Sequence, residues 1–332
     1  MSQYTEILLT QRPDDQPIGS HLFNVVKKEM PIATTGQILI KQTYLSLDPA
    51  MRGWMSSDRN SYVPPIELGS VMRSYGFGEV VISNHPDYEV GDSVTGMMGW
   101  CEYFVSDGKN LNKVKSGISA ETALAVFALP GLTATQGLFT IGKPKKGETL
   151  VVTGAAGSVG SIVGQLAKAE GLRVIGVVGN DEKADWIVNE LGFDGAINYK
   201  SDNLREQLIT LTPNGIDVFF ENTGGPIQHH IIHNMNAFGR VVVCGLISDY
   251  EKETPEPGPS WISIIKKRVT IQGFTMPDHM DHIPALLEKL TPYVLQGKIT
   301  YRTHILNGLE SAMSGLNLLF TGKNNGKLIV KL

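Results

Sequence analysis

The stretch Glu148–Lys183, ETLVVTGAAGSVGSIVGQLAKAEGLRVIGVVGNDEK, constrains the fold of this chain more than any other. Thr149 to Thr153 is an apolar, β-branched run of the kind that forms a strand buried on both faces. Gly154, Gly157 and Gly160 follow at three-residue spacing. Gly154 can turn the chain out of the strand, Gly157 leaves the backbone open to a pyrophosphate, and Gly160 lets a helix pack close to the strand. Ile162, Val163, Leu166 and Ala167 mark that helix, and Arg173 to Val178 reads as a second strand. The free N–H groups and positive end of the helix would face phosphates. This strand–turn–helix–strand context points to a dinucleotide site containing Gly154, Ala156, Gly157, Ser158, Val159 and Gly160. A tight βα turn with no ligand is the alternative.

An NAD site places Asp or Glu at the tip of the second strand, to accept from the ribose 2′-OH. Gly179 and Asn180 stand there instead, and Lys183 follows one short step into the next helix. An ammonium at that position can pair with a 2′-phosphate. Asp181 and Glu182 suit the first helical turn, where the helix dipole stabilises carboxylates. The pattern therefore favours NADP(H) as cofactor, with Asn180 and Lys183 in the site. A solvated helix lysine is the alternative for Lys183.

The 332 residues suffice for two domains. Hydrophobic residues make up 42% and charged residues 19%, which predicts a packed globular protein. With a net charge of −4 and no Lys/Arg-rich cluster, non-specific nucleic-acid binding has no electrostatic support. No apolar run stands out at membrane-spanning length, and MSQYTEILLTQRP lacks the basic start and long apolar core of a signal peptide. Two cysteines, Cys101 and Cys244, suit a reducing cytoplasm and exclude a disulfide framework.

Residues up to about 125 read as mostly β, with runs at Gln37–Tyr44, Phe77–Ile82 and Ser93–Gly96. A helix is expected from Pro130 through Phe139. Strands are then expected near 149–153, 173–178, 217–220, 240–244 and 269–273, and helices near 158–170, 181–191, 202–210, 226–237 and 279–296. The tail predicts a helix over Leu309–Thr321 and a strand over Lys327–Lys331. Thr254–Pro259, rich in proline, reads as a surface loop or a cover over a site. The fold class is α/β: a doubly wound parallel sheet with a β-rich domain. The expected boundaries are 126–299 for the NADP-binding domain, with 1–125 and 300–332 forming the substrate domain.

LSLDPAMRG (Leu45–Gly53), LPGLTATQGLF (Leu129–Phe139), AAGSVGSIVGQLAK (Ala155–Lys168), GNDEK (Gly179–Lys183), NYK (Asn198–Lys200), ENTGG (Glu221–Gly225), CGLIS (Cys244–Ser248) and NNGKLIVKL (Asn324–Leu332) occur in that order. Together they resemble the zinc-independent leukotriene B4 12-hydroxydehydrogenase/prostaglandin reductase family of the medium-chain dehydrogenase/reductase superfamily, over nearly the whole chain. The resemblance implies a Rossmann domain, a GroES-like β-rich domain and a homodimer built through the central sheets. It also implies NADPH-dependent reduction of the C=C bond of an α,β-unsaturated ketone or aldehyde. By the same resemblance, Lys183 and Tyr199 would lie around the adenosine phosphate and Asn222 on the nicotinamide riboside side. Cys244, Gly245 and Ser248 would line the groove, Phe274 and Thr275 would meet the carboxamide, and Asn324 would reach the cofactor. Each has a plainer alternative: a turn tyrosine for Tyr199, a turn after a strand for Asn222, and a buried small hydrophobe for Cys244.

Two positions depart from the family pattern. Ala50 replaces the tyrosine of DPYMR, and Thr135 replaces that of PGLTAY. Both fall where the family's substrate pocket is expected, so a wider pocket or a missing carbonyl-binding hydroxyl follows. Two cysteines cannot build a four-cysteine zinc lobe, and His229/His230 and His279/His282 lack a third ligand at suitable spacing. Carbonyl polarisation is thus expected from hydrogen bonds. Tyr250 and Tyr62 are the candidate orienting or proton-donating hydroxyls, and loop surface is the alternative for Tyr250. Quinone reduction by the same cofactor is the main rival activity. Alcohol dehydrogenation and an NADPH-binding sensor are the others.

Overall fold

All five residues of the strand Thr149–Thr153 are buried, as expected where parallel neighbours lie on both sides and helices cover both faces. The structure is a computed structural model and describes residues 2–14, 16–252, 254–255 and 257–332. The chain divides into two compact units, Met1–Ala128 with Thr303–Leu332, and Leu129–Arg302.

In the unit Leu129–Arg302, Thr149–Thr153 pairs in parallel with Arg173–Val178 and with Ile216–Glu221. Gly195–Asn198 extends the first side, and Met235–Val243 then Thr270–Gly273 extend the second, all in parallel. Counted in chain order the strands lie 3-2-1-4-5-6. The order reverses between Thr149–Thr153 and Ile216–Glu221. Ligands of doubly wound sheets bind in the crevice outside the carboxyl ends of such a strand pair. Val151, Ile175, Ile197 and Phe219 from the sheet pack with Leu208, Ile227 and Ile231 from the helices into one buried cluster.

The expected strands at 149–153 and 173–178 form with those bounds, and the helix Ser158–Ala169 is one residue shorter than expected. Other elements differ. Gly195–Asn198 is a strand that its weak β-formers do not announce; its pairing with Arg173–Val178 makes it one. The helix expected over 226–237 stops at His233, because Met235 opens a strand against Ile216. That strand bulges before Arg240, and Phe238 sits there at φ +64°, in the left-handed region that is uncommon for a non-glycine. Trp261–Lys267 forms a helix where none was expected. The helix expected over 279–296 begins as a 3₁₀ stretch, Met276–His282, and becomes α over Ile283–Leu295. Of the proline-rich Thr254–Pro259, Glu256 lies outside the described residues, and the others take no regular structure.

The other unit carries the β-rich segments. Thr303–Asn307, Lys327–Lys331, Ile38–Ser46, Tyr75–Ser83, Ser93–Met97 and Leu111–Lys113 form one sheet in that order, and Tyr103–Ser106 also pairs with Ile38–Ser46. A hairpin of Gln3–Leu9 and Phe23–Glu29 stands apart. Ile7, Leu9, Leu45, Met51, Trp100 and Leu316 share its buried cluster. Lys327, 2% exposed, donates to the Leu47 carbonyl at 3.2 Å and pairs with Asp48 at 2.5 Å. Removing one partner of such a pair costs about 3–5 kcal/mol, because the other charge stays buried. The single helix expected over Leu309–Thr321 is two short ones, Ser311–Gly315 and Asn317–Phe320.

The expectation that no apolar run reaches membrane-spanning length meets one exception. The helical run Ala120–Gly142 has 23 residues and is apolar enough to qualify by length and composition. Its most apolar window is 72% buried, as in a core helix, and extended backbone at Ala128 (ψ −157°) breaks it. It includes two π-helical pieces, Ala123–Phe127 and Gln136–Gly142.

Gly164 faces the ring of buried Phe193; a Cβ there would sit 1.9 Å from Cζ. An exposed helical Gly→Ala change stabilises by about 1 kcal/mol. Here overpacking wins, and Gly164→Ala is expected to destabilise by about 1–3 kcal/mol. Urea unfolding of the two proteins checks this, and a raised midpoint would show the packing argument to be wrong.

Candidate active site

The glycine turn is built by local sterics. Gly154 adopts φ +59°, and a Cβ on it would touch Thr223 Cγ2 at 3.3 Å and Asn222 Cβ at 3.5 Å. A Cβ on Gly160 would lie 2.4 Å from the Gly154 carbonyl oxygen, so the helix can start this close to the strand only with glycine there. Gly157 is the N-cap of Ser158–Ala169 and supplies no side-chain cap. The first-turn N–H groups, including those of Ser158 and Val159, therefore point out of the turn without a capping side chain. Ala155 and Ala156 are buried, and Ala155 N–H donates to the Val177 carbonyl at 3.1 Å.

A second loop closes the other side of the switch point. Glu221, 2% exposed, ends the strand Ile216–Glu221. Its Oε1 accepts from the Thr153 hydroxyl, from Thr223 N–H at 2.7 Å and from Gly224 N–H at 3.1 Å. Thr153 Oγ1 in turn accepts from Asn222 N–H at 2.8 Å, and Asn222 Nδ2 donates to the Thr153 carbonyl at 2.8 Å. The Glu221 carbonyl accepts from Cys244 N–H (2.9 Å) and Gly245 N–H (3.2 Å). Ile247 N–H donates to the Asn222 carbonyl (3.3 Å) and Ser248 N–H to the Thr223 carbonyl (2.8 Å). Asn222, Cys244, Gly245 and Ser248 are thus brought together at one edge, beside Gly154. Burial pushes the Glu221 carboxyl above the usual range, against the pull of its donors.

The third group lies at the tip of Arg173–Val178. Asn180 caps the helix Asp181–Asn189, its Oδ1 accepting from Lys183 N–H at 2.8 Å. Asn198 Nδ2 donates to Asp181 Oδ1 at 2.8 Å, and Lys200 N–H donates to Asn198 Oδ1 at 3.1 Å. These bonds tie the Tyr199–Lys200 turn to the helix start. The Lys200 ammonium lies 5.8 Å from the Tyr199 ring centre, and a Cβ on Gly179 would meet that ring at 3.2 Å. Half-buried Lys183 has its pKa lowered, first by desolvation and also by the Lys200 cation, with Glu182 pulling the other way. Lys200 was not singled out from sequence, although it stands next to Tyr199 in the NYK motif. Glu221 and Thr153 were missed as well; no short-range signal marks a contact across 68 positions.

The remaining candidates stand on their own elements. The Tyr250 hydroxyl, in a loop, accepts from Leu246 N–H at 3.3 Å. Phe274 packs on Leu132, Met276, Ile283 and Leu286, and Thr275 Oγ1 donates to Asp278 at 3.1 Å. Thr135 is fully buried, and its hydroxyl donates to the Gly131 carbonyl at 2.7 Å within its own helix. In the other unit, Tyr62 is exposed, Ala50 packs partly buried against the core, and Asn324 Nδ2 donates to the Gly326 carbonyl at 2.9 Å. His279 and His282 stack with ring centres 5.4 Å apart.

Residues 5–114 match the family model described as the N-terminal domain of oxidoreductase, and residues 158–291 match that described as zinc-binding dehydrogenase. The NADPH-dependent curcumin reductase of Escherichia coli (strain K12) is 40% identical over 98% of this chain and 96% of its own length. The NADP(+)-dependent 2-alkenal reductase of Nicotiana tabacum is 38% identical over 92% of this chain and 90% of its own. The crystal structure of CurA in complex with NADPH from Vibrio vulnificus superposes with a TM-score of 0.92, at 38% identity and 98% coverage of both chains. The chain belongs to the prostaglandin reductase family of medium-chain dehydrogenases/reductases.

One of the two matched family models is named for zinc. Among the described residues of this reductase-family chain, no group of three or more His, Cys, Asp or Glu side chains is placed to hold a metal ion. Both cysteines are free. Burial pushes each thiol up to about 12, and for Cys244 the Glu221 carboxyl adds to the shift. Near pH 8 almost no thiolate exists at such a pKa, and the thiolate is the nucleophile. Iodoacetamide is therefore expected to leave the native protein unlabelled over a period in which the urea-unfolded chain takes up two labels. Cys244 is only half-buried, so rapid native labelling there, read by peptide mass, would show that its thiol is not held in the neutral form.

Proposed function

We propose that the protein reduces the C=C bond of α,β-unsaturated ketones and aldehydes with NADPH. The observation that carries this is the switch-point geometry: an uncapped helix start behind the Gly154–Gly160 turn, with the Asn222 and Cys244–Ser248 loops at the same sheet edge. The names of the relatives support it, since curcumin reductase and 2-alkenal reductase share this chain over more than nine-tenths of its length.

The residues present fit the cofactor. The N–H groups after Gly157 suit a pyrophosphate. Lys183 and Lys200 offer two cations to a 2′-phosphate, with Tyr199 beside them and no carboxylate at the Gly179–Asn180 tip. Asn222, Cys244, Gly245 and Ser248 line the nicotinamide side, with Phe274, Thr275 and Asn324 as further contacts. Bound NADPH supplies a hydride to the β-carbon of the conjugated alkene. The protein's part is to hold that carbon in place, exclude water, and present hydroxyls such as those of Tyr250 or Tyr62 to the enolate oxygen or the α-carbon. The Thr135 hydroxyl is already used by Gly131, so it supports no carbonyl contact.

In this reading the unit Leu129–Arg302 holds the cofactor. The protein works as a homodimer in the cytoplasm. The dimer is supported by the sheet edge Thr270–Gly273, where all four residues are exposed, beside exposed Trp261, Ile262 and Ile265. An uncovered strand edge with apolar neighbours invites pairing.

A medium-chain 2-alkenal with NADPH is expected to yield the saturated aldehyde, with NADH much poorer. Turnover of a quinone alone would move the assignment to quinone reduction. Lys183→Ala should weaken NADPH binding about ten- to a hundredfold, the worth of one charge-assisted contact, while NADH binding holds. Equal weakening of both cofactors in a titration would remove Lys183 from the phosphate site. Tyr250→Phe should retain part of the wild-type kcat, and complete loss would overturn its orienting role.

A further inference from the structure

A buried carboxyl directly after Val218, Phe219 and Phe220, at the end of the strand Ile216–Glu221, is energetically costly. Burying it costs several kcal/mol unless it is hydrogen-bonded. The three residues before it are buried and apolar, so the core itself gives no reason for a carboxyl at Glu221. Its bonds go elsewhere. The side chain holds Thr153, Thr223 N–H and Gly224 N–H, and Thr153 passes the constraint on to Asn222 N–H. The groups so fixed lie at the carboxyl ends of the two strands that flank the switch point.

The loop needs such a holder. Gly224 and Gly225 both adopt left-handed backbone, φ +81° and +83°, which glycine reaches easily and leaves easily. A Cβ on Gly224 would stand 2.8 Å from Ser248 Oγ, so the loop is also pressed against the Cys244–Ser248 segment. Without a fixed acceptor, two consecutive glycines would leave Asn222 and Thr223 free to sample other conformations.

We propose that Glu221 is a positioning residue for the nicotinamide end of the cofactor site, acting through Thr153, Asn222 and the Gly224–Gly225 turn. It touches no reacting atom and pre-sets the loop that does. The proposal rests on the cofactor reading above. The carboxyl is held toward its protonated form by burial, and an amide resembles that form in shape and keeps one acceptor oxygen. Glu221→Gln should therefore preserve the loop, whereas Glu221→Ala removes the acceptor of the Thr153 hydroxyl and of the Thr223 and Gly224 N–H groups.

The test compares binding of two probes by calorimetry. NADPH spans the whole site, whereas 2′,5′-ADP occupies only the adenosine end near Lys183 and Tyr199. For Glu221→Ala, the NADPH Kd should rise about tenfold, equivalent to about 1.4 kcal/mol, while the 2′,5′-ADP Kd stays within about twofold. Glu221→Gln should restore NADPH binding to near the wild-type value. Thr153→Ala, which cuts the link to Asn222 but leaves Glu221 its two N–H donors, should move NADPH binding the same way by less. It serves as the second variant if Glu221→Ala does not fold. A purely structural role would weaken both probes together, and that result, or an unchanged NADPH Kd in both alanine variants, overturns the proposal. Wild-type protein that bound neither probe would overturn the cofactor reading itself, and with it the proposal.

Discussion

The parallel hydrogen bonding of Thr149–Thr153 to Ile216–Glu221 is the constraint on which the nucleotide-side architecture depends. Both strands run the same way, but the chain leaves them toward opposite sides of the sheet. A crevice opens only where that divergence occurs. The glycine turn and the Asn222 loop, far apart in sequence, meet there because each follows one of these two strands. Gly154 turns the chain there at φ +59°, and a Cβ on it would come into contact with the Asn222–Thr223 segment.

Two buried ionisable groups show different solutions to one problem. Lys327 is paired with a carboxylate and a carbonyl, so its charge is matched directly. Among the described residues Glu221 takes its hydrogen bonds from N–H and O–H donors, while burial favours the neutral form. The first arrangement ties the DPAMR segment to the final strand of its unit. The second ties two glycine-containing loops to a sheet edge. In both cases a polar group within an apolar core is retained by what it holds.

Much of the fold was legible because its signals are local. The glycine spacing at 154–160, the β-branched runs at 149–153 and 173–178, and the final strand at 327–331 carry their own periodicity. Gly195–Asn198 does not: Gly, Ala and Asn are poor strand formers, and only the neighbouring strand makes them extended. Trp261–Lys267 was missed although Trp261, Ile264 and Ile265 recur at helical spacing, because so short a run rich in isoleucine reads as readily as a strand. In the site, Lys183 was readable from the tip of a strand. Lys200 comes close to it only through the Asn198–Asp181 bond, and Glu221 meets Thr153 only through sheet pairing. The family resemblance named the departures at Ala50 and Thr135. It could not show that the Thr135 hydroxyl is spent inside its own helix.

The closeness of Lys183 and Lys200 has a consequence outside the protein. The Lys200 cation adds to the desolvation that lowers the proton affinity of Lys183, and a dianion bound there can relieve both. Inorganic phosphate or sulfate in the surrounding medium is such a dianion, and it competes for that relief with the nucleotide's own phosphate. The discrimination between NADPH and NADH would then be a joint property of the chain and its buffer, narrowing as dianion concentration rises and widening in monovalent salts of low strength.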